Sequence, residues 1–186
     1  METTYLNNHL LIAMPGLMDP NFHQTVTFLS EHNADGALGI VINRPLNITL
    51  GNLLEHLGIA TNSPAVAGMP VYYGGPVQPQ QGFVVHTPLG NWGSTLRVTD
   101  TVGITTSRDI LEAVATGEGL EQALVALGYA GWGAGQLERE IAENSWLFGP
   151  SDQRILFDTP SEQRWVAAAA LLGVDLNLLS GEAGHA

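Results

Sequence analysis

Residues 37–42 place the strongest constraint on the fold of this chain. They read Ala-Leu-Gly-Ile-Val-Ile, apolar at successive positions, whereas a strand with one solvated face alternates apolar and polar residues. The preceding Asn33-Ala34-Asp35-Gly36 has the composition of a tight hairpin turn. Residues 24–32, before the turn, are rich in β-branched and aromatic side chains. We therefore predict a hairpin whose second strand is central in a sheet, buried on both faces.

The patterns predict mainly strands in the first half of the chain and mainly helices in the second half. Strands are predicted at residues 9–14, 71–73, 82–86, 95–99, 146–148 and 155–157, with a surface loop at 61–70. Helices are predicted at residues 52–57, from Ser107 to 114, at 120–127 ending at Gly128, at 136–143, and from a capping box at 159–162 to Gly173. Strands first and helices later, without regular alternation, favour the α+β class in one domain over residues 1–186.

The charge balance and the missing cysteines exclude several classes of function. The chain has 18 acids, six arginines and no lysine, for a net charge of −12. Because binding to nucleic acid or to anionic lipid depends on clustered cations, we expect no direct contact with either. The absence of cysteine excludes thiol nucleophiles, cysteine-ligated zinc and iron–sulfur clusters. No basic residue precedes Arg44 and no apolar run reaches a membrane span, so a cytoplasmic location is expected.

No motif in the chain specifies a reaction. A metal site needs three or more converging ligands, and the spacing of the histidines fits no known signature, so no metal and no cofactor are predicted. There is no G-x-S-x-G elbow of a serine hydrolase. The glycines around Trp132, at residues 131–135, lack the lysine of a phosphate loop. They either let the backbone pack closely before a helix or bind an anion through free N–H groups.

A few residues stand out as candidates for ligand binding. Arg44 ends the predicted central strand, and its permanent charge needs a partner. That partner is either an anionic ligand or a carboxylate from the following set: Glu138, Glu140 and Glu143. The Gly74-Gly75 loop allows close backbone approach or forms a pocket rim. The candidate residues are His32, Asn43, Arg44, Gly74, Gly75, His86 and Trp132.

Several segments together resemble the AlgH/YqgE family of bacterial proteins. They are Leu11–Pro15, Asp19–Phe22, Glu31–Ala37, Asn43–Pro45, Gly74–Val77, Leu127–Trp132 and Gly135–Ile141, followed by Asn144, Trp146 and Leu147. The matches run in order from about residue 6 to 175. The resemblance implies a single α+β domain with a bifurcated mixed β-sheet surrounded by helices. No activity is established for the family, and some members are described as transcriptional regulators. Members often have cysteine where this chain has Ser30, so a redox role through that thiol does not apply here.

Two classes of function follow from these observations. We favour a non-enzymatic binding or regulatory protein acting through a protein or small-molecule partner, because no nucleophile, base and orienting group can be assigned. The alternative is a hydrolase-type enzyme using His32, His86 and nearby acids around the Gly74-Gly75 loop. An enzyme needs a concave site where titratable groups converge, whereas an interaction protein needs an exposed apolar patch.

Overall fold

A computed structural model describes residues 5–183, so residues 1–4 and 184–186 of the predicted domain lie outside the described part. The strands are β1 His9–Ala13, β2 Val26–Asn33, β3 Gly36–Val41, β4 Pro45–Thr49, β5 Pro70–Tyr73, β6 Val77–Thr87, β7 Thr95–Arg97, β8 Gly103–Thr105, β9 Gln122–Gly133 and β10 Trp146–Pro150. The helices are α1 Leu50–His56, α2 Pro64–Ala67, α3 Arg108–Thr116, α4 Gln136–Ala142, α5 Arg164–Leu171 and α6 Leu176–Ala183. A π-helix, Arg154–Asp158, and a 3-10 helix, Ser161–Gln163, precede α5.

The described residues group into two compact units. Unit 1 holds the residues up to Asn43 and from Ala130 onward, and unit 2 holds Arg44–Tyr129. Strand β9 is shared, since its first residues belong to unit 2 and its last to unit 1. The strand network therefore branches at β9, which agrees with the bifurcated sheet that the resemblance implies. The predicted α+β class is confirmed, and the single domain stays a prediction.

Unit 1 contains an antiparallel sheet in the order β10, β1, β2, β3 and the end of β9. Strand β3 is paired on both edges. All of its residues are buried except Leu38, which is 37% exposed. The predicted central strand is therefore confirmed. The core of this unit includes Leu11, Leu29, Trp132, Leu137 and Trp146.

Unit 2 contains a mixed sheet in the order β4, β5, β9, β6, β8, β7. Strand β5 runs parallel to β9, and the other pairs are antiparallel. Helices α1 and α3 bury apolar residues against this sheet, because each has an apolar stripe on one side. The shared core includes Leu54, Val71, Val84, Ile110, Val114 and Val125.

The helix predicted at residues 120–127 is wrong, because this segment begins strand β9. Leucines and alanines at 120, 123, 124 and 127 fit a helical stripe, but Val125 and Ala126 are also fully buried. Pairing with β5 on one edge and β6 on the other satisfies the backbone there. Gly128, the predicted helix stop, instead permits close approach, since a Cβ there would clash with the carbonyl oxygen of Gly75.

The segment before α5 also differs from the prediction. Residues 155–157, predicted as a strand, form part of the π-helix, whose start is fixed by Asp152 accepting the Arg154 N–H at 2.8 Å. The Thr159 hydroxyl does not cap a helix but donates to the Arg154 carbonyl at 2.9 Å. Helix α5 therefore begins at Arg164, after a 3-10 turn, and it ends before Gly173 as predicted.

Sequence patterns missed four elements. These are β4, β8, α2 and α6, and α2 lies inside the predicted loop at 61–70. The first three have only three to five residues each, too few positions to show a period, whereas α6 has eight residues and follows Gly173, where the last predicted helix ends. Among residues 5–183, no helix combines the length and the apolar character that crossing a membrane requires.

Candidate functional site

His32 lies in the interior of unit 1, with its side chain 1% exposed. Its Nδ1 accepts the Leu6 N–H at 2.9 Å, so Nε2 carries the proton and donates to Glu138 Oε1 at 3.1 Å. Burial raises the pKa of Glu138, whereas the hydrogen bonds from its own backbone N–H and from His32 lower it. The lowering effects together outweigh burial, so the pKa of this carboxyl lies below its ordinary value. Both ring nitrogens are occupied, which is the environment of a structural histidine.

Trp132 lies in an aromatic cluster of unit 1. Its ring stacks on Phe22 at a centroid distance of 5.8 Å and meets Trp146 edge-on at 5.9 Å. The Nε1–H groups of both tryptophans donate to one oxygen of Glu140, at 3.1 and 3.0 Å. Gln136 donates to its other oxygen at 2.9 Å. The geometry fits the packing interpretation of this glycine-rich segment.

Asn43 and Arg44 follow β3 at the boundary between the two units. The Asn43 side chain accepts a hydrogen bond from the Val26 N–H and donates one to the Gln24 carbonyl, both at 2.9 Å. It therefore stabilises the start of β2. The backbone carbonyl of the half-buried Arg44 accepts the Tyr73 N–H at 2.7 Å. Its pairing with an acid of α4 stays a prediction.

The Gly74-Gly75 loop packs its backbone against β9 inside unit 2. The Gly74 N–H donates to the Leu127 carbonyl at 2.8 Å, and a Cβ at Gly74 would clash with the Gly128 carbonyl oxygen. The expected close backbone approach is therefore present. It gives these glycines a packing role, while their role at a ligand stays a prediction.

His86 is fully buried in unit 2. Its Nδ1–H donates to the Pro88 carbonyl at 3.1 Å, so Nε2 accepts from the Thr105 hydroxyl at 2.7 Å. Thr95 in turn donates to Thr105 at 2.7 Å. Burial lowers the pKa of His86, partly opposed by the Pro88 carbonyl, so the ring is neutral at pH 7. A hydroxyl and an imidazole are thus paired, but in the interior of the unit.

A cleft of about 240 Å³ opens elsewhere in unit 2, between α1, α3 and strands β6, β8 and β9. Its apolar lining is Leu53, Leu57, Val84, Ile110, Leu111, Val125 and Leu127. The polar side chains in the lining are Gln80, Gln81, Thr105, Thr106, Ser107 and Arg108. None of the candidate residues predicted from the sequence lines it, and neither does any histidine or acid. The volume is slightly below the roughly 300–1,000 Å³ typical of ligand pockets, so the cleft suits a small apolar molecule.

A set of hydrogen bonds fixes one border of this cleft. The Ser107 hydroxyl donates to Asp109 at 2.5 Å and accepts the Ser94 N–H at 3.0 Å, while Asp109 also accepts the Gly93 N–H at 2.7 Å. The hydrogen bond from Ser107 is the largest cause of the lowered pKa of Asp109. This carboxylate is therefore ionised, and both of its oxygens already accept hydrogen bonds from Ser107 and Gly93. Arg108 remains as the charged group on the lining. Its position in the sequence is unusual, because it is a cation in the first turn of a helix, where the helix dipole disfavours positive charge.

Metal binding has no geometric support in the described part of the chain. Among the described side chains, those of residues 5–179, no three of histidine, aspartate or glutamate converge in a way that could hold a metal ion. The absence of a bound metal stays a prediction.

Bacterial proteins of the same length match this chain from end to end. The family model DUF179, described as AlgH-like, matches residues 10–177. The UPF0301 protein of Nitrosococcus oceani is 60% identical over 182 residues, which cover 98% of this chain and 97% of that protein. The UPF0301 protein of Thioalkalivibrio sulfidiphilus is also 60% identical, over 179 residues and 96% of each chain.

Solved structures show the same fold. The solution structure of AlgH from Pseudomonas aeruginosa has a TM-score of 0.79 and 51% identity, covering 100% of this chain and 98% of that one. A crystal structure from Corynebacterium diphtheriae has a TM-score of 0.71 at 19% identity, covering 97% and 94%, and shares the fold alone. Because the family model spans most of its length and its relatives match at 60% identity, the chain belongs to the AlgH-like family.

Proposed function

We propose that this chain is a non-enzymatic binding protein that takes a small apolar ligand into the cleft of unit 2. The observation that supports this is the chemistry of the lining, which combines seven apolar side chains with neutral polar groups and one arginine. Catalysis of acyl or phosphoryl transfer needs a nucleophile, a base and an orienting group in one concave site. A cleft without histidine or carboxylate suits binding better than reaction.

The hydrolase alternative has weaker support from the two histidines on which it rests. His32 is held by Leu6 and Glu138, and His86 by Pro88 and Thr105, so each ring has both nitrogens engaged. The two residues also belong to different units.

Filling the cleft should abolish the binding of an apolar probe. Gly82 lines the cleft two residues from Val84, so both face the same side of β6. An added Cβ there meets nothing within 4 Å, so the leucine side chain of Gly82→Leu starts in open space beside the cleft. We expect 1-octanol to cause saturable ¹H–¹⁵N shift changes at Ile110, Leu111 and Val125 in the natural protein and none in the variant.

Gly16→Leu is the matched control for this experiment. Gly16 also has nothing within 4 Å of an added Cβ, but it lies in unit 1 and does not line the cleft. This variant should bind 1-octanol like the natural protein. Shift changes that persist in Gly82→Leu, or that never saturate in the natural protein, would remove the support for the cleft as a binding site.

Direct binding to DNA is not part of the proposed function. With a net charge of −12 and no lysine, the chain offers too few cations to neutralise phosphates. We expect no sub-micromolar binding to duplex DNA in an anisotropy titration at physiological salt. Any regulatory effect would then act through a partner, and a cytoplasmic location remains part of this proposal. Sub-micromolar binding to a duplex would contradict it.

A further inference from the structure

We infer that the cleft takes a small carboxylate with an apolar tail, and that Arg108 holds the carboxylate. This inference rests on the proposed function, because it assigns the polar end of the same ligand. The apolar lining accounts for the tail, and the exposed arginine in the lining accounts for the head.

Arg108 and Arg139 are exposed arginines without an acid partner among the side chains of residues 5–179, and of the two only Arg108 lines the cleft. Arg97 pairs with Asp100, and Arg154 pairs with Asp152. Arg108 is exposed and lines the cleft, and no acid among the described side chains, those of residues 5–179, lies within ion-pair distance of it. An anion bound beside it would give this guanidinium the partner that the folded chain does not supply.

The position of Arg108 is not explained by the stability of its helix. It is the first residue of α3, where a cation faces the positive end of the helix dipole, which is unfavourable for the helix. Glu112 follows one turn later, but the order of arginine before glutamate is the less favourable one for such a pair. Asp109 is occupied by Ser107 and Gly93. The charge is therefore available to a molecule in the cleft.

The head group is a single planar anion for two reasons. One guanidinium matches one carboxylate through two parallel N–H bonds, whereas a doubly charged phosphate would call for further cations. In a chain of net charge −12, the long-range field opposes any anion, so a single local cation and apolar burial must provide the affinity. The small volume of the cleft also excludes a nucleotide.

Three probes with one tail separate the head groups: octanoate, 1-octanol and octylamine at pH 7. We expect octanoate to bind the natural protein about tenfold more tightly than 1-octanol, as a charge-assisted bond gives, and octylamine to bind most weakly. Arg108→Gln should weaken octanoate to the level of 1-octanol and leave 1-octanol unchanged. Arg97→Gln removes the same charge from unit 2 away from the cleft, and it should keep the preference.

The outcomes distinguish this inference from the proposed function. If 1-octanol and octanoate bind equally and Arg108→Gln changes neither, the carboxylate is wrong and the apolar cleft stands. Preferred binding of octylamine also overturns the inference. If none of the three probes binds, the proposed function itself fails. Arg108→Lys provides a second variant, which should keep part of the preference for octanoate because the charge remains while the planar fork is lost.

Discussion

Replacing Trp132 with alanine should lower the free energy of unfolding by about 3–5 kcal/mol, the range for removing a buried aromatic side chain. The side chain is 5% exposed and packs against Phe22 and Trp146. The truncation leaves a cavity that these rings cannot close without moving, because protein interiors are close-packed. It also removes one of the two indole N–H groups that Glu140 accepts. Urea denaturation followed by circular dichroism measures the change.

Two control variants separate packing from the hydrogen bond. Trp132→Phe keeps a ring against Phe22 and loses the indole N–H, so it should cost clearly less than the alanine variant. Met18→Ala, at a position 69% exposed, should change the stability by less than about 0.5 kcal/mol. A loss below about 1 kcal/mol for Trp132→Ala would contradict the packing role and return Trp132 to the set of candidate ligand-binding residues.

The sequence predicts the β2–β3 hairpin well because local and long-range requirements agree there. The turn residues before Gly36 favour reversal, and the apolar run after them favours a strand buried on both faces. Gly36 has a φ of +138°, and a Cβ there would clash with the Trp132 carbonyl oxygen. Glycine is thus needed both for the turn and for the pairing with β9.

Strand β9 is where local pattern and long-range pairing disagree. The same leucines and alanines fit a helical stripe and a doubly buried strand, and their propensities favour the helix. Pairing with β5 on one edge and β6 on the other decides for the strand. Those partners lie from 35 to 54 residues earlier in the chain, so no short window around residue 124 contains the deciding interaction.

The candidate site shows a different limit of sequence reasoning. His32 and His86 are candidates because imidazoles are chemically reactive. Both are nevertheless interior residues, and each ring nitrogen has a hydrogen-bond partner within the protein. The cleft is formed by leucines, valines and isoleucine from separate elements, and these residue types are also typical of any core. Only Arg108, a cation at the wrong end of a helix, gives a local signal, and it becomes meaningful once α3 and its cleft are seen.

The most buried arginine is Arg164, a residue that the sequence analysis does not identify as a candidate. Arg44 attracted attention because it ends the apolar run of β3, but it is only half-buried. Arg164 is 4% exposed, and its guanidinium donates to the Ile42 carbonyl at the end of the same run. A cation does therefore stabilise the end of the central strand, and it comes from α5.

Arg164→Ala should lower the free energy of unfolding by about 3 kcal/mol. The variant leaves the Ile42 and Thr159 carbonyls without their charged donor, and each lost bond of this kind costs about 1–3 kcal/mol. Arg164→Lys should recover only part of the loss, because one ammonium cannot reproduce the two directions of the guanidinium. Arg139→Ala removes an exposed arginine of α4 and should cost less than about 0.5 kcal/mol. If urea denaturation gave equal losses for the Arg164 and Arg139 variants, the charge alone would matter, and the anchoring of β3 by α5 would be wrong.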